Sequence, residues 1–253
     1  MAANNGGSDS TGKKFYYSIS YGMLSANAKD APEGYEKIAL ADIKSRRQKN
    51  ENVDLRNKYY DTENGKDYPL RVFYTDISGI IESVEKDEYS QGISLKVTLH
   101  DQDGDESILQ TDFYGKVSAD FLNRLLNVNP ANELNFRPYS IPTSADIDGE
   151  SVAFYNSGVS IKDNGTKTER AFKRDNGLPD SERITNSSGK QETSRVKQIN
   201  FLWEKVQAKF ANVNADSGAT AKTEPKKEEA PKAKANTAKK EEPVGSTNDD
   251  LPF

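Results

Sequence analysis

The sequence predicts a mainly β protein: a five-stranded barrel with one helix between strands 3 and 4, an N-terminal extension, a C-terminal helix and a disordered, acidic-tipped tail. Three observations carry this. Ile93, Leu95, Val97 and Leu99 alternate strictly with Ser94, Lys96, Thr98 and His100, the period of a half-buried strand. Around that segment the chain reads strand, strand, strand, helix, strand, strand. From Ala211 onward nearly all large apolar residues disappear, so the folded part is expected to stop there.

Residues 1–12 are rich in Gly, Ser and Asn and read as a flexible leader. Phe15 to Tyr21 is an expected extra strand, and a polar, basic region then leads to the barrel, which starts near Tyr68. The first barrel strand is Val72 to Ile81, with a change of phase near Gly79 that predicts a bulge or bend. The second is Ile93–Leu99, and Asp101 to Asp105 forms the hairpin turn with Asp-Gly as its signal. The third runs over Ser107–Tyr114. The helix spans Ser118 to Val128, with Ser118 as N-cap, one apolar face of Phe121, Leu122 and Leu125, and Asn129-Pro130 as its stop. Strands follow at Glu133–Tyr139 and Ser151–Ile161. This is the order of the OB-fold, whose usual ligands are oligonucleotides and oligosaccharides held on the face of its second and third strands. Residues 163–194 read as a long loop. A helix from Ser194 to Ala211 presents Val196, Ile199, Trp203, Val206 and Phe210 as one stripe, expected to pack on the barrel or, as the alternative, on a partner. The domain therefore covers 13–210, a linker 211–247 and a tip 248–253.

Composition sets bounds. The 253 residues are 34% hydrophobic and 30% charged, with a mean hydropathy of -0.87, too polar for one core over the whole length. No apolar run approaches the roughly 18 residues that a bilayer crossing needs, so no membrane partner is expected. The N-terminus has no apolar signal core, which predicts a cytoplasmic protein. Cys is absent and His100 is the only His, which excludes disulfides, thiolate metal sites and paired-His chemistry. The net charge of -5 runs mildly against a nucleic-acid binder, although an acidic tail lowers the total on its own.

The linker is rich in Ala, Lys, Glu and Pro, with nearly balanced charge. At roughly 35 residues it would hold the tip some 30–35 Å from the body. The tip reads Asn248-Asp249-Asp250-Leu251-Pro252-Phe253. Phe253 can fill an apolar pocket while its carboxylate meets a basic rim, with Asp249 and Asp250 adding steering. This ending resembles the acidic C-terminal tip of single-stranded DNA-binding proteins, which usually reads Asp-Asp-Asp-(Ile/Leu)-Pro-Phe; Asn248 stands in place of the first Asp. The resemblance covers about six residues and the style of the linker. It implies a protein that coats single-stranded DNA in replication, recombination and repair and recruits polymerase, primase or helicase through Asp249, Asp250, Leu251, Pro252 and Phe253. The late start of the barrel departs from the bacterial housekeeping pattern and is closer to divergent bacteriophage members, which would act in the host cytoplasm. That departure leaves the oligomeric state open, with a homo-oligomer among the options.

A single-stranded DNA binder needs rings for stacking and cations along the backbone path. The candidates are Lys13, Lys14 and Tyr16 on the extra strand; Arg71 and Tyr74; Lys96 and His100 on the second barrel strand; Tyr114 and Lys116; and Arg137 and Tyr139, placed opposite the core-facing Leu134 and Phe136. Two basic loops add Lys44, Arg46, Arg47 and Lys49, and Arg170, Phe172, Lys173 and Arg174. Phe73, Phe113, Phe136 and Phe154 are the expected core rings. No cofactor and no enzymatic activity are expected: there is no phosphate loop, zinc spacing or nucleophile elbow, and the Asp101–Asp105 cluster lacks the EF-hand Glu, its twelfth position being Asp112. Two other readings stay open: a replisome or virion adaptor that carries the docking tail without binding DNA, and a carbohydrate- or protein-binding module whose tail is coincidental.

Overall fold

The computed structural model describes residues 13–63, 66–89, 92–101, 104–147, 150–185 and 191–216. The expected leader, most of the linker and the tip with Asp249, Asp250, Leu251, Pro252 and Phe253 lie outside the described residues. The protein is mainly β, and its principal element is a mixed sheet of 11 strands.

Strands β1 (Lys14–Ser20) and β2 (Met23–Ala28) form a hairpin about Tyr21 and Gly22, both at positive φ. A Cβ on Gly22 would sit 2.4 Å from the Ser140 backbone nitrogen, so the turn can press against that strand only as glycine. The polar region that follows is structured. It holds β3 (Glu36–Lys37), helix α1 (Leu40–Gln48), β4 (Lys58–Asp61) and β5 (Leu70–Tyr74). These surround a small second core of Ile43, Leu55 and Phe73.

The expected strand over 72–81 is two strands with different partners. β5 pairs with β2, and the next strand, β6 (Ile77–Tyr89), pairs with β7 (Gly92–His100). The break falls at residues 75–76, before Gly79, and the run of strands expected to form the barrel starts at Ile77 rather than near Tyr68. The bulge lies at Ile81 to Ser83, past Gly79. β7 turns through Asp101, whose carboxylate accepts from the Asp105 amide at 2.9 Å, into β8 (Glu106–Asp112). Helix α2 (Lys116–Leu125) begins earlier than its sequence suggested. Gly115 occupies the cap position, and Ser118, buried, donates its hydroxyl to the Asp112 carbonyl at 2.5 Å. β9 (Leu134–Ile147) and β10 (Glu150–Asp163) make a hairpin longer than expected.

The order strand, strand, strand, helix, strand, strand is thus present as β6, β7, β8, α2, β9, β10, joined by four ladders: β6 with β7, β7 with β8, β6 with β9 and β9 with β10. The expected closed barrel is not. Among the described residues β8 does not pair with β10, because both edges are taken. β1 runs parallel along β8, from Lys14 opposite Glu106 to Ser18 opposite Gln110. Asp120 of α2 accepts the Val159 amide of β10 at 3.1 Å.

The expected loop over 163–194 contains β11 (Thr166–Lys167), β12 (Glu182–Thr185) and β13 (Gln191–Ser194). The last two form a separate ribbon. Helix α3 (Val196–Asp216) runs past residue 211, where the linker was expected to begin. Ile199, Leu202, Val206 and Phe210 are its buried stripe, packed against α2 and β6. Val196 is exposed, and Trp203 lies half-buried with its ring edge-on to Phe113 at 5.5 Å. The main core joins this stripe to Leu95, Val97, Leu99, Phe113, Phe121 and Phe136. Phe73, Phe113 and Phe136 are fully buried, whereas Phe154 is only half-buried and lies outside the core.

Candidate nucleic-acid interface

Asp120 organises a strongly charged region of the described surface. Its carboxylate is buried and accepts from four donors. Arg124, one helical turn on, approaches at 3.2 Å; Arg170 Nε donates at 2.6 Å, the Tyr139 hydroxyl at 3.1 Å and the Val159 amide at 3.1 Å. Gly158 is required beside it, since a Cβ there would fall 2.1 Å from an Asp120 oxygen. Burial works against the Arg170 charge, but the attraction and hydrogen bond of Asp120 outweigh it, and the guanidinium is held more firmly protonated than usual. Burial, reinforced by Asp120, pushes the Tyr139 phenol up.

This anchor fixes the segment after β11 across α2. Arg124 Nη1 donates to the Thr168 carbonyl at 2.5 Å. Asn123 brackets Phe172, accepting its amide and donating to its carbonyl, both at 2.8 Å. Two adjoining clefts result, about 420 and 330 Å3, sharing Asn156, Arg170 and Lys173. Their cations are Lys116, Arg124, Lys167, Arg170, Lys173, Arg174 and Arg195; their carboxylates are Asp120, already matched by Arg124 and Arg170, and Glu169. The outer cleft has Tyr139 and the exposed Ile141 on its wall. Burial, and then the charge of Arg170, lowers the pKa of Arg195, which has no carboxylate partner among the described residues.

No protein-family model, curated protein or solved structure matches this chain.

The structure gathers Lys116, Tyr139, Arg170, Lys173 and Arg174 of the expected residues at this cleft. Arg137 is exposed one pleat from Tyr139 on the same face of β9. Phe172 also lines it, yet its ring packs edge-on against Phe201 at 5.2 Å beneath Lys205, which places it at the core margin and not as a free platform. Tyr114 is exposed just before α2, its ring edge-on to Phe113.

A second group lies apart, on the outer face of β7, β8 and β1. Lys14 and His100 both stand opposite Glu106, with Lys13 beside them and Tyr16 exposed opposite Ile108. Its cations are largely compensated: Lys14 pairs with Glu106 at 2.7 Å and Lys96 pairs with Asp87.

The remaining candidates are divided between fold and surface. Arg47 is not a free loop cation. Its guanidinium lies 3.8 Å over the Tyr155 ring and 5.3 Å from Tyr21, and donates to the Ser140 hydroxyl at 3.2 Å, tying α1 to the β9–β10 hairpin. Burial lowers its pKa. Lys44, Arg46 and Lys49 are exposed around it. Arg71 donates to Ser25 and Asn27 within the sheet, and Tyr74 packs edge-on against Tyr17 at 5.6 Å.

Sequence reasoning missed Arg124, Lys167, Arg195, Asn156 and Ile141. Only Arg124 had a local signal, its i, i+4 spacing from Asp120. Among the described residues no group of His, Asp and Glu could hold a metal, and no helix is long and apolar enough to cross a membrane.

Proposed function

We propose that the protein binds single-stranded DNA along the cleft beside α2 and recruits replication and repair enzymes through residues 248–253. The observation that supports the DNA reading is the assembly of seven cations from α2, β11, the 168–174 segment and the start of α3 along two adjoining clefts, the outer of which has a wall of Tyr139 and Ile141. Cations of that density attract a phosphate chain, and an apolar and aromatic wall suits bases that are not hidden in a duplex. β6 to β10 with α2 is read as an opened relative of the OB barrel, its strand order kept and its closing ladder replaced by β1 and α2. The C-terminal tip supplies the recruitment half of the proposal by its resemblance alone.

The deciding measurement is quenching of Trp203 and tyrosine fluorescence by a poly-dT oligonucleotide, against the same sequence as duplex, over a salt series. Preference for the single strand, with affinity falling steeply as salt rises, is the expected result. No binding at low salt would overturn the proposal and leave the adaptor reading.

A further inference from the structure

The two clefts differ in chemistry. The outer one has the Tyr139 and Ile141 wall. The inner one is framed by the start of α2, the start of α3 and residues 170–174, and Lys116, Arg170, Lys173, Arg174 and Arg195 converge there. Its only carboxylate among the described residues, Asp120, is saturated by its four donors. Arg174 lies 3.5 Å from Asp180 at the exposed rim. Arg195 is half-buried and has no carboxylate partner among the described residues. A partly desolvated guanidinium beside another cation is a cost to folding that an incoming anion removes.

We infer that the inner cleft is a discrete phosphate subsite anchored by Arg195, through which the backbone of a bound strand passes while its bases lie along the outer cleft. This rests on the reading of the protein as a single-stranded DNA binder. Guanidinium groups suit the site because they meet two phosphate oxygens at once, where an ammonium meets one. The shared residues Asn156, Arg170 and Lys173 make the two clefts one continuous path. Arg170 has a double role there: its Nε is bound to Asp120, which fixes the guanidinium at the junction of the clefts.

The test uses the full-length chain with Arg195→Gln, Arg195→Lys and Lys173→Gln. Arg195→Gln should weaken dT-oligonucleotide binding about ten-fold to a hundred-fold, the worth of a charge-assisted hydrogen bond. It should also make the salt dependence shallower by about 0.7 in log–log slope, one phosphate's share for a single strand. Arg195→Lys should recover part of the loss, and Lys173→Gln should weaken binding in the same direction. Without ligand, Arg195→Gln should melt at or above the wild-type temperature, because it removes an uncompensated cation. Inorganic pyrophosphate should raise the Tm of the wild type and not of Arg195→Gln. Unchanged affinity and slope in Arg195→Gln, while the wild type binds DNA, would overturn the subsite and leave the DNA reading standing. A lowered Tm in Arg195→Gln would also overturn it, by making the residue a support of the fold. An Arg195-dependent pyrophosphate shift without oligonucleotide binding would overturn the passage of a DNA strand and keep only an anion site.

Discussion

At the scale of single residues, Asp120 and Arg47 show how far a charge's role depends on its neighbours. Asp120 sits in the first half of a helix with no sequence mark beyond its i, i+4 spacing to Arg124, yet it neutralises Arg124 in the interior, holds Arg170 and caps the open edge of β10. Asp120→Asn leaves Arg124 buried without a counterion, so a loss of about 3–5 kcal/mol in urea unfolding is expected. Arg47 lies in the most basic run of the chain, Lys44 to Lys49, and the same run contains exposed cations and one that is committed to two tyrosine rings. Arg47→Ala should cost about 1–3 kcal/mol in unfolding free energy, combining a partly desolvated cation–π contact with a hydrogen bond. Its effect on DNA affinity, measured by fluorescence titration, should be small beside that of Arg195→Gln. Sequence shows which residues carry charge. It does not show which of them find a ring or a carboxylate from a distant segment, and for that reason Arg195, between a short ribbon and a helix, gave no signal.

At the scale of elements, legibility followed the range of the forces. β7 was plain because its burial alternates along the strand itself. The buried stripe of α3 was mostly plain for the same reason, with Leu202 taking the inward place given to Trp203. The α1 region was opaque: α1 buries Ile43 alone, and the small core is completed by Leu55 and Phe73 from separate elements, so no window of sequence holds its pattern. The length of the β9–β10 hairpin was hidden in a similar way, since it is braced by α1 and the residues just after it through Arg47, Asn50 and the Tyr155 hydroxyl on the Glu51 carbonyl. Gly158 ties this hairpin to α2. Gly158→Ala places a methyl group where Asp120 and Tyr139 already touch, so it should destabilise the protein by at least about 2 kcal/mol and lower DNA affinity by displacing Arg170, read by urea unfolding and oligonucleotide titration.

At the scale of the whole molecule, the sequence carried the succession of strands but not which edges would meet. A barrel closes when its first and last free edges find each other; here β1 and α2 occupy those edges. Charge follows the same logic. The net charge of -5 gave little reason to expect a cationic groove, because a total averages over the tail and the compensated face of β7 and β8. Deleting residues 248–253 should leave oligonucleotide affinity intact or tighten it, since two Asp and a carboxylate then no longer compete for the groove, while pull-down of a replication enzyme is lost. A large fall in affinity on that deletion would count against the arrangement. The parallel ladder of β1 on β8 bears as well on how the chain comes into being. Lys14 waits for Glu106, 92 positions later, so during synthesis the N-terminal strand leaves the ribosome long before its partner exists. Loop-closure entropy of that size must be met before the pairing returns anything, which predicts a late, rate-limiting step in folding and a newborn chain whose Phe15 and Tyr16 stand unpaired in the meantime.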